Sequence, residues 1–155
     1  ACNFRLTALP RAIGRIQLQR RPEWTAARSR NALLLAEALA DCSAVRVPLP
    51  PEGITHAWYK FYAFVKPDAL PENWSRDRIL SEIASLGYPA LSGSCSEIYL
   101  EKCFQEAGLA PAERLPLARE LGETSLMFLV HPTITPEQMA AYADAVRSVV
   151  EQACR

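Results

Sequence analysis

The chain has 155 residues, half of them hydrophobic and 22% charged, with 17 Lys and Arg balancing 17 Asp and Glu. This length suits one domain, or one domain with an appendage, and the apolar fraction supports a buried core rather than disorder. The even charge gives no electrostatic case for a nucleic acid or an anionic membrane as partner, and no apolar run is long enough for a membrane span.

The balance hides one asymmetry. Residues 1–30 carry seven arginines (5, 11, 15, 20, 21, 28 and 30) against a single acid, Glu23. Leu6, Leu9, Ile13 and Ile16 follow a helical stripe, with Thr7 as N-cap and Pro10 in the first turn. Pro22 is expected to end that helix and to open a second one reaching about Ala40. Val45–Val47 reads as a short strand, and the proline-rich stretch 48–53 as a turn. Ala57–Val65 is the strongest strand signal, with aromatic residues on both faces. Ser75 should cap a helix bearing Ile79, Leu80, Ile83 and Leu86, stopped by Gly87. Short helices are expected around Tyr99–Phe104 and Ala112–Leu121. Ser125–Val130 reads as a central strand. Thr135-Pro136-Glu137-Gln138 is a capping box, opening a last helix with Met139, Tyr142, Ala143, Val146, Val149 and Val150 on one face.

The expected fold is α+β: a small, three-stranded, mainly antiparallel sheet with helices on one face, preceded by two N-terminal helices. Residues 1–41 form the helical lead-in and 42–155 the small domain.

Signals for chemistry are sparse. The five cysteines (2, 42, 95, 103 and 154) show no C-x-x-C spacing and no nearby histidines, so no metal site is expected and reduced thiols in a cytoplasmic protein fit best. His56 and His131 each sit at a strand end; His131, with Pro132 after it, is the better binding candidate because it opens a loop. The loop Leu91–Glu97, with Ser94 and Ser96, could receive an anion at the following helix N-terminus, although Ser94-x-x-Glu97 also reads as a plain capping box. Lys60, mid-strand among aromatics, could form a Schiff base but more commonly such a lysine snorkels to an edge.

The stretch Asn3-Phe4-Arg5-Leu6-Thr7, continuing through Ala12, Ile13, Gly14, Gln17 and Leu18, resembles a characteristic segment of the DegT/StrS sugar aminotransferases. Phe128–Pro132 and the aromatic strand agree with that family's small domain in order and pattern. Pro10 and Arg11 depart from its usual Gln-Ala, and the serine-rich loop stands where the family's substrate loop usually carries tyrosine and histidine. The resemblance implies a pyridoxal 5'-phosphate enzyme of fold type I, transferring an amino group from glutamate to a keto sugar, usually nucleotide-linked. It implies a homodimer meeting through a large domain and the N-terminal helices. Asn3 would reach the cofactor phosphate across the interface, where a side-chain amide donor suits an oxygen. Arg5 would grip an anionic part of the substrate, with Ser94, Ser96 and His131 as further substrate contacts.

The Schiff-base lysine lies upstream of this motif in the family, so Lys60, Lys66 and Lys102 cannot replace it and no catalytic residue is expected in the chain. With Ala1 in place of an initiator methionine, a designed truncation is expected, inactive on its own. The alternative is a non-catalytic small-molecule-binding or assembly domain of the same fold. An uncovered stripe at Leu6, Leu9, Ile13 and Ile16 tends to pair. The isolated chain should therefore self-associate, and light scattering showing a clean monomer at high concentration would remove the idea.

Overall fold

A computed structural model describes Arg5 and residues 7–154. It contains five helices, α1 (Ala8–Leu39), α2 (Arg76–Ser85), α3 (Lys102–Glu106), α4 (Pro116–Thr124) and α5 (Pro136–Gln152), and four strands, β1 (Val45–Arg46), β2 (Phe61–Val65), β3 (Ala90–Leu91) and β4 (Ser125–Phe128). The strands form one antiparallel sheet in the order β1-β2-β4-β3. The α+β class and the antiparallel sheet are as the sequence implies. The sheet has four strands, not three, because Ala90 and Leu91 pair with Phe128 and Met127 at the edge. Two residues carry too little alternation to announce a strand.

The centre of the sheet is the β2–β4 pairing, with Phe61 opposite Phe128 and Ala63 opposite Leu126. These four side chains, with Val65, are buried on one face. Leu35 and Leu39 of α1, Ile79 and Ile83 of α2, and Met139, Val146 and Val150 of α5 pack with them in one core. The helix α5 buries the six residues that its spacing marks, and Thr135 closes the expected capping box with Gln138. Ser75 accepts from the Arg78 amide at 3.2 Å, and Gly87 takes the left-handed φ of 86° just past α2.

The other face carries Tyr62, Phe64, Met127 and Ser125, opposite one another across the same two strands. Strand alternation makes this separation automatic. The helix α4 and the loop 92–96 lie over this second face, whereas α1, α2 and α5 lie over the first.

Two further expectations are corrected. The sequence implies two N-terminal helices, but α1 is one helix of 32 residues with Pro22 inside it, about 48 Å long. A proline removes the bond to the carbonyl four residues back. That carbonyl belongs to Leu18, which is 68% exposed, so water can satisfy it. The long aromatic strand is also shorter than expected and starts at Phe61 rather than Ala57. Trp58 has φ of 47°, a region a bulky residue seldom enters. Its amide donates to His56 Nδ1 at 3.0 Å, and its buried ring stacks on Phe61 at 5.9 Å. These contacts hold the turn that ends extended backbone.

The first two-thirds of α1 carries no buried residue; burial begins at Asn31. Leu9, Ile13 and Ile16 are exposed, and Leu6 lies outside the described residues. Pro22→Ala should therefore stabilise this arm locally by about 3 kcal/mol while leaving global unfolding almost unchanged. Amide exchange over residues 8–21 should slow with no matching rise in the denaturation midpoint. Unchanged exchange would mean that the proline does not limit the arm.

Candidate functional site

The second face of the sheet gathers most of the polar chemistry. Tyr62 and Phe64 stack at 6.4 Å, and the Arg46 guanidinium lies 4.7 Å above the Phe64 ring. Arg46 faces Phe64 across β1 and β2, and Lys66 follows two residues on, so both cations share that face. They line a cleft of about 670 Å³ whose opposite wall is α4, with Arg119, Glu120 and Glu123.

The serine-rich loop crosses the same face. Ser94 Oγ lies 3.3 Å from Tyr62 Oη, and Ser125 donates to the Ser92 carbonyl. Gly93 has φ of 94°, and a Cβ there would come within 2.6 Å of the Tyr62 ring. Glycine is required by both the turn and the close approach. Ser96 packs directly on Gly122 of α4, where a Cβ would overlap it.

Glu97 is the most strongly anchored side chain of the region. Arg114 grips it with both Nε, at 2.8 Å, and Nη2. The Tyr99 hydroxyl donates to it at 2.6 Å and itself accepts from the Leu115 amide at 2.9 Å. Arg114 also donates to Glu123, which takes a second bond from Arg119. The Arg114 hydrogen bonds, and then that of Tyr99, pull the Glu97 carboxyl from 4.5 down to about 2. The same pair raises the Arg114 guanidinium, while burial and Glu97 raise the Tyr99 phenol. Bidentate charge-assisted pairs of this kind fix geometry as well as charge.

The capping box expected at Ser94-x-x-Glu97 is absent. No helix begins at Ser94; a single 3-10 turn, Ile98–Leu100, follows Glu97, and Glu97 does not cap it. The Arg114 pair takes the carboxylate instead. The helix N-terminus expected to serve as an anion receptor is therefore missing as well.

The candidate residues do not all converge. Ser94 and Ser96 lie together at the Ser125 end of β4. His131 follows the other end of β4, where its ring contacts Thr133 at 2.7 Å and its carbonyl accepts from buried Asn31 at 3.1 Å. His131 thus joins the β4–α5 loop to α1. Arg5 is exposed ahead of α1, and Asn3 lies outside the described residues. Sequence reasoning missed Tyr62, Glu97, Tyr99 and Arg114 as one constellation. Glu97 and Arg114 are 17 positions apart on irregular backbone, where no periodicity links them.

Among the described residues, no group of three or more His, Cys, Asp and Glu could hold a metal ion, and no helix is long and apolar enough to cross a membrane. Lysine amines are also poorly enclosed. Lys102 is exposed and pairs with Glu106 at 3.6 Å, Lys66 is exposed, and the Lys60 amine lies 5.6 Å from the Tyr59 ring centre. A cofactor bound as a Schiff base needs a lysine enclosed with it. The described residues do not fit that role, and no chemical step is assigned to them.

Residues 1–147 match the DegT/DnrJ/EryC1/StrS aminotransferase family. The chain belongs to that family, which is pyridoxal phosphate-dependent. It is 47% identical to the aminotransferase from Psychrobacter cryohalolentis, with a TM-score of 0.93, covering 100% of this chain and 41% of that one. DesV from S. venezuelae is 25% identical with a TM-score of 0.77, covering 90% and 35%. PseC from Helicobacter pylori, an aminotransferase involved in the biosynthesis of pseudoaminic acid, shares the fold at 19% identity and a TM-score of 0.82, covering 98% and 39%. The chain thus spans less than half the length of each of these proteins. No curated protein matches it.

The Glu97 pair carries a direct pH test. A carboxyl held below its unfolded value stabilises the fold fully above about pH 4.5, and the contribution fades as pH falls toward 2. An NMR titration should place the Glu97 midpoint near 2, and Arg114→Ala should move it up toward 4.5. A wild-type midpoint at the ordinary value would show that the pair does not form.

Proposed function

We propose that this chain is the small C-terminal part of a pyridoxal phosphate-dependent aminotransferase that transfers an amino group from glutamate to a nucleotide-linked keto sugar. The observation that carries the reading is the likeness to the Psychrobacter aminotransferase over the whole of this chain, at 47% identity. The family match over residues 1–147 supports it independently. PseC, which shares the fold, works in the biosynthesis of pseudoaminic acid, and a sugar substrate is carried over from there and from the family.

In this reading residues 1–41 form the arm toward the rest of the protein and 42–155 the small domain. The cofactor's lysine comes from outside these 155 residues, and the bound cofactor supplies the electron sink that transamination requires. Asn3 would bond its phosphate in a neighbouring subunit. Arg5, Ser94, Ser96 and His131 would meet the sugar substrate. Ser94 and Ser96 are exposed residues whose hydroxyls can each donate and accept, which suits a ligand rich in hydroxyls. His131, at the other end of β4 from the serines, would contact a different part of the substrate. The homodimer and the cytoplasmic location belong to the same reading.

The test uses protein expressed from its complete reading frame. It would be incubated with nitrogen-15 glutamate and a panel of keto hexoses linked to uridine, thymidine or guanosine diphosphate. The label should appear in an amino sugar, with 2-oxoglutarate formed in equal amount. Release of 2-oxoglutarate without any labelled sugar across the panel would rule out the sugar as acceptor. Asn3→Ala in the same protein should weaken cofactor retention, and an unchanged dissociation constant would remove Asn3 from the site.

A further inference from the structure

Hydrogen bonds tie the serine-rich loop at both ends, outside the apolar core, and between them Ser96 packs on Gly122 of α4. Its first end is tied by Ser125 to the Ser92 carbonyl. Its second end is tied by Glu97, through Arg114 and Tyr99. Between these anchors Ser94, Cys95 and Ser96 are exposed and form no regular structure. Their own bonds are weak: Ser94 to Tyr62 at 3.3 Å, and the Cys95 thiol to Glu101 at 3.7 Å.

Arg114 is itself fixed. It precedes α4, bonds Glu123, and shares that carboxylate with Arg119. The helix α4 is secured at its far end by Arg76, which donates to the Gly122 and Ser125 carbonyls, both at 3.1 Å. Position is thus transmitted from α2 through α4 to Arg114, and from Arg114 to Glu97. None of Glu97, Tyr99 or Arg114 is part of the buried core, which lies on the other face of the sheet.

We propose that Glu97 and Arg114 are positioning residues for the sugar substrate, setting the loop so that the Ser94 and Ser96 hydroxyls meet it. The proposal rests on the aminotransferase reading above. Loss of the pair leaves that end held by the single Tyr99 bond while Ser125 keeps the other, so the hydroxyls shift without the fold being lost. A hydroxyl moved out of hydrogen-bond range forfeits its bond to the substrate and so weakens binding.

The experiment compares full-length wild type with Arg114→Ala, Arg114→Lys and Glu97→Gln, using glutamate and the keto hexose that wild type turns over. Arg114→Ala should raise KM for the hexose on the order of tenfold while KM for glutamate stays within about twofold. Arg114→Lys keeps the charge but loses the two-pronged grip, and should fall between. Glu97→Gln keeps the shape and serves if the alanine variant folds poorly. An active wild type whose variants keep their hexose KM overturns this proposal alone. Equal loss for both substrates, tracking a fall in Tm, also overturns it by showing a merely structural role. A wild type that aminates no hexose overturns the reading beneath it as well.

Discussion

The antiparallel pairing of β2 with β4 governs everything else in this chain. Because side chains alternate across a strand, the register that sets Phe61 against Phe128 also sets Tyr62 against Met127 and Phe64 against Ser125. One face becomes the core and the other becomes the candidate site. A slip of one residue would exchange them, placing Tyr62 in the core and Phe61 in the cleft. The core face is fixed by Phe61, Ala63, Val65, Leu126 and Phe128, all buried. That burial holds the register, and the register presents Tyr62, Phe64 and Arg46 together. Site geometry here is a by-product of core packing.

The arm α1 obeys a different constraint. Its last turns bury Asn31, Ala32, Leu35, Ala36 and Leu39 against the domain, but no residue before Asn31 is buried. A helix of that length without a packed face depends on backbone propensity and on continuation from the packed end. Pro22 is tolerated because it falls where the backbone is open to water, as the exposed Leu18 shows. The same proline near Leu35 would break packing against α5.

These two regimes explain what could be read in the sequence. Where one face of a regular element is buried, period and capping residues carried the answer: Met139 to Val150 on α5, Ile79 and Ile83 on α2, Thr135 and Ser75 at the caps. Where structure depends on solvent exposure or on particular side-chain contacts, pattern alone misleads. Pro22 looked like a stop because local sequence does not reveal that its backbone faces solvent. The aromatic run from Ala57 reads as one strand because its composition outweighs the His56–Trp58 hydrogen bond, which no periodicity marks. Ser94-x-x-Glu97 looked like a capping box, since the competing partner, Arg114, is on another segment. The candidate site was legible to the extent of the serine loop, but not in what holds it.

Among the described residues the perturbed ionisations all run one way. Glu97 and Glu137 are lowered, Arg114 and Arg147 are raised, and Tyr99, Tyr142 and Cys42 are raised. Hydrogen bonds drive the first four shifts, and burial is the largest cause of the last three. Every one moves the group further into the charge state it already holds near neutral pH. An acid–base catalyst needs the reverse, a pKa brought toward the working pH so that the proton can move both ways. The perturbed groups therefore serve as fixed charges and fixed donors, and their value lies in direction and distance. That agrees with a chain whose loop hydroxyls are aimed by an ion pair, and whose lysines stay at the surface or lie against an aromatic ring.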